Sequence, residues 1–205
     1  MTKKIIGIYL AAGMSSRFGS NKLMMPFRES FLGVIALKAA LASMLEKTIV
    51  IARENDQLQW MYPGFLNYKK MSIVRCKESS KGQSYSLKCG MRFAEKCGAD
   101  AVVVLLSDQP FITTQLINQL IQEYKLQETI SFICPTNNDI ICPPILINRT
   151  IFHYFNQIKG DEGAKSILYS KREQGLFIES NNPLYSFDID TKNDYVKAMS
   201  FIDKT

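Results

Sequence analysis

The chain has 205 residues, 46% hydrophobic and 21% charged, the usage of a folded globular protein. A chain of this length buries roughly 70% of its unfolded surface, so a sizeable core is expected and disordered or collagenous classes are excluded. The net charge of +6 favours anionic partners without choosing among nucleotides, nucleic acid and acidic surfaces. Much of that charge falls between Lys69 and Lys96, where eight cations face only Glu78 and Glu95, a pattern that a solvated face explains as well as a binding face does.

Ile5 to Leu10 reads as a buried first strand. The preceding Lys3 and Lys4 superficially resemble a signal peptide, but the apolar run is short and breaks at Gly13 to Arg17. Leu32 to Leu45 carries a helical stripe, and Thr48 to Ala52 returns as a strand. Met71 to Val74 follows as a third strand, Tyr85 to Lys96 as a helix, and Ala101 to Leu106 as a strand expected at the sheet's centre. Thr114 to Tyr124 is amphipathic and Ile130 to Cys134 strand-like, and Pro143-Pro144 marks an edge or turn before Ile145 to Ile147. Glu162 to Tyr169 and Lys192 to Ile202 read as helices, the second capped by Thr191 with Asp194 and fed by a strand at Tyr185 to Ile189. Strands alternating with helices predict an α/β domain of Rossmann-like, three-layer form with a mostly parallel central sheet, spanning residues 1–205 as one domain.

Five cysteines form no C-x-x-C pair and His153 is the lone histidine, so no zinc site of usual spacing is expected. The thiols read as reduced and mostly buried, which predicts a cytoplasmic protein. His153, among Phe152, Tyr154 and Phe155, reads as a partly buried structural residue. The absence of a Ser/His/Asp or Cys/His set lowers hydrolase readings.

The most informative stretch runs from Leu10 to Lys22: Leu-Ala-Ala-Gly-Met-Ser-Ser-Arg-Phe-Gly-Ser-Asn-Lys. It follows a buried strand, Ala11, Ala12 and Gly13 remove bulk so that backbone can approach phosphate, and Arg17 and Lys22 can neutralise it. A tight turn with exposed cations would read the same. Neither G-x-x-x-x-G-K-[ST] nor G-x-G-x-x-G is present, which sets aside the commoner NTPase and dinucleotide loops. Asp108 stands just past the predicted central strand, where ligands collect in open α/β sheets, and a carboxylate there can hold Mg²⁺ against phosphates. A helix cap ahead of Pro110 explains Asp108 comparably well, and a capping turn does so for Asp188 and Asp190.

The stretch resembles the opening signature of the nucleotidyltransferases with a molybdenum-cofactor-type NTP transferase domain, L-A-A/G-G-x-S-x-R-x-G-x-x-K. Gly82-Gln83-Ser84-Tyr85-Ser86-Leu87, Ser107-Asp108-Gln109-Pro110, Gly160-Asp161-Glu162-Gly163-Ala164 and Asp188-Ile189-Asp190-Thr191 resemble that family's later motifs in the same order. The resemblance implies transfer of a nucleoside monophosphate onto a phosphorylated acceptor, with molybdopterin as acceptor, pyrophosphate as leaving group and Mg²⁺ (or Mn²⁺) as cofactor. Ala12, where guanylyl members carry Gly, implies CTP over GTP.

Carried onto this sequence, the resemblance implies Arg17, Lys22 and Asp108 as catalytic residues. It implies a nucleotide site of Leu10, Ala11, Ala12, Gly13, Ser15, Arg17, Lys22, Gly82, Gln83, Ser86 and Asp108. Asp108 and Asp190 would ligate the metal, with Asp188 the weaker candidate, and Gln109, Pro144, Gly160, Asp161 and Gly163 would meet the acceptor. Cys142 stands where relatives have glycine, which puts the acceptor's identity in question. The alternatives are another phosphorylated acceptor, such as a sugar or polyol phosphate, and a non-catalytic module that delivers cofactor. Expected partners are small molecules and, transiently, a molybdenum hydroxylase, with no nucleic acid and no membrane.

Overall fold

A computed structural model describes residues 3–66, 68–127, 129–137, 140–180 and 182–202. Among the described residues ten strands form: β1 (Ile5–Leu10), β2 (Pro26–Phe27), β3 (Ser30–Phe31), β4 (Lys47–Arg53), β5 (Met71–Cys76), β6 (Ala101–Leu106), β7 (Phe132–Asn137), β8 (Ile140–Ile141), β9 (Ile145–Asn148) and β10 (Gly175–Glu179). In the same described residues six α-helices accompany them: α1 (Leu32–Leu41), α2 (Pro63–Leu66), α3 (Gln83–Lys96), α4 (Thr114–Leu126), α5 (Lys165–Ser170) and α6 (Lys192–Ile202). The main sheet runs in the order β10-β7-β9-β6-β1-β4-β5, with β8 hydrogen-bonded to β7. Pairings among β6, β1, β4 and β5 are parallel, β9 runs antiparallel to both its neighbours, and β10 is parallel to β7. The sheet is mostly parallel, and β6 holds its middle position, as the Val/Leu run predicts.

Side chains alternate across β1 and β6 because successive residues of a strand face opposite ways. Ile5, Tyr9, Val103 and Leu105 pack into a core shared with α1 and α4. Ile6, Ile8, Leu10, Val102 and Val104 pack on the other face with α3 and the 3₁₀ segment Arg149–Asn156. Three layers result, and two-sided burial is why these strands read as unbroken apolar runs. A third cluster, with Phe18, Phe27, Leu32, Ile189 and Ala198 at its centre, binds the C-terminal segment over the β2–β3 hairpin.

Several boundaries differ from the sequence reading. The first helix stops at Leu41 rather than Leu45 because the Ser43 hydroxyl donates to the Ala40 carbonyl at 2.6 Å, a side-chain bond that competes with the next helical turn. The helix expected from Glu162 begins at Lys165. No strand forms over Tyr185 to Ile189. Pro183–Ser186 makes a 3₁₀ turn, and the following residues reach the sheet through one backbone bond, Ile189 N–H to Asp108 O at 3.0 Å. Strand β10 went unread because Gly175 opens it and only partial burial follows. His153 is exposed and lies against the Tyr154 ring instead of being partly buried. Cys76, Cys134 and Cys142 are buried, Cys89 and Cys97 partly so, and all five are free thiols. Among the described residues, no helix is long and apolar enough to cross a membrane.

Helix α3 lies close enough to β1 that a Cβ at Gly90 would sit 2.5 Å from Ile8 Cγ2. Gly90→Ala is expected to destabilise the fold by about 1–3 kcal/mol, the cost of overpacking a filled core, as read from denaturant midpoints.

Candidate functional site

Leu10 and Leu106 are register partners at the carboxyl ends of β1 and β6, and Ser107 N–H donates to Leu10 O at 3.3 Å. The chain leaves β1 towards β4 on one side, while β6 lies on the other. The two loops therefore diverge from adjacent points at a switch in strand order, where open α/β sheets form their clefts. Between them opens a cavity of about 510 Å³, lined by the small-residue loop, the start of α3, Asp108, Asp161 and Asp190. That volume suits a nucleotide-sized ligand.

The small-residue loop is a tight turn. Ser15 has φ 53°, and its carbonyl accepts from the N–H groups of Phe18 and Gly19 at 3.0 and 3.1 Å. Leu10, Ala12, Gly13, Ser15, Arg17 and Lys22 all line the cavity. Ala11 does not, since it is buried in the core and its N–H donates to Ile51 O at 2.9 Å. Its smallness serves packing between strands.

Opposite, Gly82 has φ 122° and ends one residue before α3, so Gln83 and Ser86 occupy that helix's first turn and line the cavity. A Cβ on Gly82 would fall 2.3 Å from the Gly160 carbonyl, and Gly160 O accepts from both Ser84 N–H (3.1 Å) and Ser84 Oγ (2.8 Å). A Cβ on Gly163 would come 3.2 Å from Gln83 Oε1, a looser approach to the end of a side chain. Gly160 and Gly163 thus support the start of α3, while Asp161 is the member of that motif that reaches the cavity.

Lys22 holds the site together. Its residue is only 7% exposed, and its ammonium donates to Asp108 Oδ2 at 2.7 Å, Ile189 O at 2.9 Å and Asp190 Oδ1 at 3.1 Å. Burial by itself would depress the Lys22 pKa, but the charges and hydrogen bonds of Asp108 and Asp190 outweigh it and raise the pKa above the ordinary lysine value. Arg17, largely exposed, reaches Asp190 Oδ2 at 3.3 Å. The two cations expected to face phosphate therefore engage carboxylates.

Asp108 caps no helix, because Thr113 caps α4. Its Oδ1 is buried and without a hydrogen-bond partner, a donor atom suited to a cation. Asp190 shares Lys22 with it, so two carboxylates converge from β6 and from the C-terminal segment, the latter held by Ile189 in the core and by the Thr191/Asp194 capping box. Asp190 thus reaches the site from an anchored loop, not from the end of a strand. Among the described residues no cluster of three or more His, Cys, Asp or Glu exists, so a divalent ion here would take its remaining ligands from phosphate and water, as Mg²⁺ commonly does.

Gln109 is buried behind this rim and donates to Asp188 Oδ1 at 2.7 Å, while its own Oε1 has no partner. Asp188 has its pKa pushed up to about 6, first by desolvation and then by the charge of Asp108. The sequence singled Asp188 out only as a spare ligand; its pairing with Gln109 depends on chain segments 79 residues apart and has no local signal. Pro144 and Cys142 are buried, with Cys142 Sγ donating to Ile140 O at 3.3 Å, and neither lines the cavity.

Gly82→Ala should lower stability by about 2–4 kcal/mol, through both the left-handed backbone and the clash with Gly160. Gly98 also has positive φ (74°) but faces open space, so Gly98→Ala should cost only about 1 kcal/mol. Equal losses in parallel thermal melts would show that the Gly160 contact is unimportant.

Comparison with known proteins agrees with this geometry. The MobA-like NTP transferase domain model matches residues 7–175. The purine catabolism protein PucB of Bacillus subtilis is 36% identical over 93% of this chain and 94% of its own. The molybdenum cofactor guanylyltransferase of Rhodobacter capsulatus is 30% identical over 57% of each chain, and the cytidylyltransferase of Escherichia coli is 23% identical over 93% of each. The crystal structure of Rv0371c from Mycobacterium tuberculosis superposes with a TM-score of 0.81 at 21% identity, covering 98% of this chain and 99% of that one. A manganese complex of the same protein gives 0.78 at 20% identity over 97% and 99%. With a family model matched over most of its length and a full-length relative above 30% identity, the chain belongs to the MobA-like NTP transferase domain family and is a nucleotidyltransferase of that family.

Proposed function

We propose that this nucleotidyltransferase moves CMP from CTP to molybdopterin and releases pyrophosphate. The observation that carries the reading is the convergence of Arg17, Lys22, Asp108 and Asp190 at the mouth of a small-residue loop in a nucleotide-sized cavity. An acceptor phosphate oxygen attacks the α-phosphorus, the α–β phosphoanhydride bond breaks, and charge builds on the departing pyrophosphate. No general base is needed, because a phosphate monoester with a second pKa near about 6 is already largely dianionic at neutral pH.

Ala12 and Gly13 give the triphosphate room to approach backbone, and Arg17 and Lys22 neutralise the leaving group. Gln83 and Ser86, on the first turn of α3, address the nucleoside. Asp108 and Asp190 hold a divalent cation, Mg²⁺ or Mn²⁺, which when bound offsets phosphate charge. A relative's complex with manganese supports divalent-metal use.

Ala12 favours CTP, and relatives named as molybdenum cofactor nucleotidyltransferases favour a pterin acceptor. The relative named for purine catabolism fits as well, since purine breakdown oxidises ring carbons, the chemistry of the molybdenum hydroxylases to which the product would pass. A sugar or polyol phosphate is the second reading, resting on the sequence alone, since Cys142 replaces the glycine of relatives but lies outside the cavity.

With CTP and Mg²⁺, pyrophosphate release should require molybdopterin, and Asp108→Ala should lower it roughly 10²–10³-fold, the range for removing one electrostatic contributor in an active site. A panel of GTP, ATP and UTP with sugar and polyol phosphates tests the alternatives. Release with one of those acceptors and not with molybdopterin would reassign the substrate.

A further inference from the structure

All three protons of the Lys22 ammonium are committed, to Asp108 Oδ2, Asp190 Oδ1 and Ile189 O. It therefore stands between the two carboxylates that the function assigns to a divalent cation, and none of its donors is free for a triphosphate. Arg17 takes the remaining Asp190 oxygen, at a solvent-exposed position that costs little to leave. Asp108 Oδ1 is the exception, buried and unpartnered. An ammonium can satisfy one oxygen of each carboxylate but not this one.

We propose that Lys22 is an internal counter-ion that exchanges places with the metal. Without nucleotide it pairs with Asp108 and Asp190, with Arg17 offsetting the second carboxylate, and keeps the divalent ion out. When a nucleoside triphosphate enters, its β- and γ-phosphates supply new acceptors for the ammonium, the carboxylates are released, and cation and nucleotide bind as a coupled pair. The inference rests on the nucleotidyl-transfer reading for the identity of the phosphates, but its metal half concerns this chain alone.

The energetics favour exchange over simple addition. The two carboxylates are balanced by the Lys22 ammonium together with the Arg17 guanidinium, and placing a divalent ion beside an unmoved Lys22 would put like charges in contact at low dielectric. Moving the ammonium onto a phosphate removes that repulsion and leaves no buried charge unpaired. A lysine suits this role better than an arginine, since its compact ammonium swings on a flexible stem. Coupling is reciprocal, so metal should tighten nucleotide by the same factor that nucleotide tightens metal.

The test is Mn²⁺ binding followed by electron paramagnetic resonance, without acceptor. Wild type alone should bind weakly, and wild type with a non-hydrolysable α,β-methylene CTP at least about tenfold more tightly. Lys22→Met without nucleotide should also gain at least about tenfold over wild type, because its carboxylates are free. Equal or weaker Mn²⁺ binding by a folded Lys22→Met protein would overturn the exchange, and would leave the function standing if pyrophosphate release persisted in wild type. If Lys22→Met does not fold, the ammonium can be followed directly in ¹⁵N-lysine-labelled wild type. Lys22 is the buried lysine among the described residues, so its proton resonances should exchange slowly with water. They should shift on adding the analogue with Mg²⁺ together. Resonances that stay unchanged at saturation would equally overturn the proposal.

Discussion

The Lys22 ammonium joins the loops that follow two paired strands to a C-terminal segment that pairs with neither. It ties the loop after β1 to Asp108 after β6 and to Ile189 and Asp190 before α6. A buried charge is tolerated only when paired and hydrogen-bonded, and this one meets that condition with two carboxylates and a carbonyl. The same constraint explains why Ile189 is wholly buried between two aspartates. Its side chain fixes the depth of the segment, its N–H bonds Asp108 O, and its carbonyl receives Lys22. The charges that line the cavity and the local packing are therefore one arrangement.

The central sheet was legible because its physics is local. β1, β4 and β6 are buried on both faces, so each appears as a continuous apolar run, and β6 matches the sequence reading residue for residue. Helix α6 was equally clear, since its capping box is written in Thr191 and Asp194. The C-terminal approach to the site was not. Tyr185 to Ile189 has strand-like composition, yet Phe187 and Ile189 are used in the third core cluster, where Phe187 packs edge-on against Phe111 and Phe201, and Tyr185 packs against the first. Tertiary packing overrode local propensity there.

The site shows the same division. The small residues of the first loop, the two cations and the three aspartates could be picked out as candidates because each residue type carries a distinct chemistry. Their partners could not. Lys22 reads as a phosphate ligand from its own segment, and only the fold shows that 86 residues on, Asp108 claims it first. Ala11 belongs to the same motif as Ala12, but strand alternation sends one into the core shared with α1 and the other to the opposite face and the cavity. Gly160 and Gly163 read as binding glycines, and only the fold shows that they also lie against Gly82 and Gln83.

This bracing bears on how the site can respond to a ligand. Residues 160 to 164 touch the first turn of α3 through Gly82, Gln83 and Ser84, while Asp161 faces the cavity from the same segment. Any ligand that engages Asp161 therefore bears on the turn that presents Gln83 and Ser86. On the other wall, Asp108 is shared between Lys22 and the backbone of Ile189. The segments that line the cavity are thus in direct contact on both sides of it. A site built this way transmits occupancy by displacing hydrogen bonds that already exist, and the bonds with most to release are those of a lysine whose every donor is engaged.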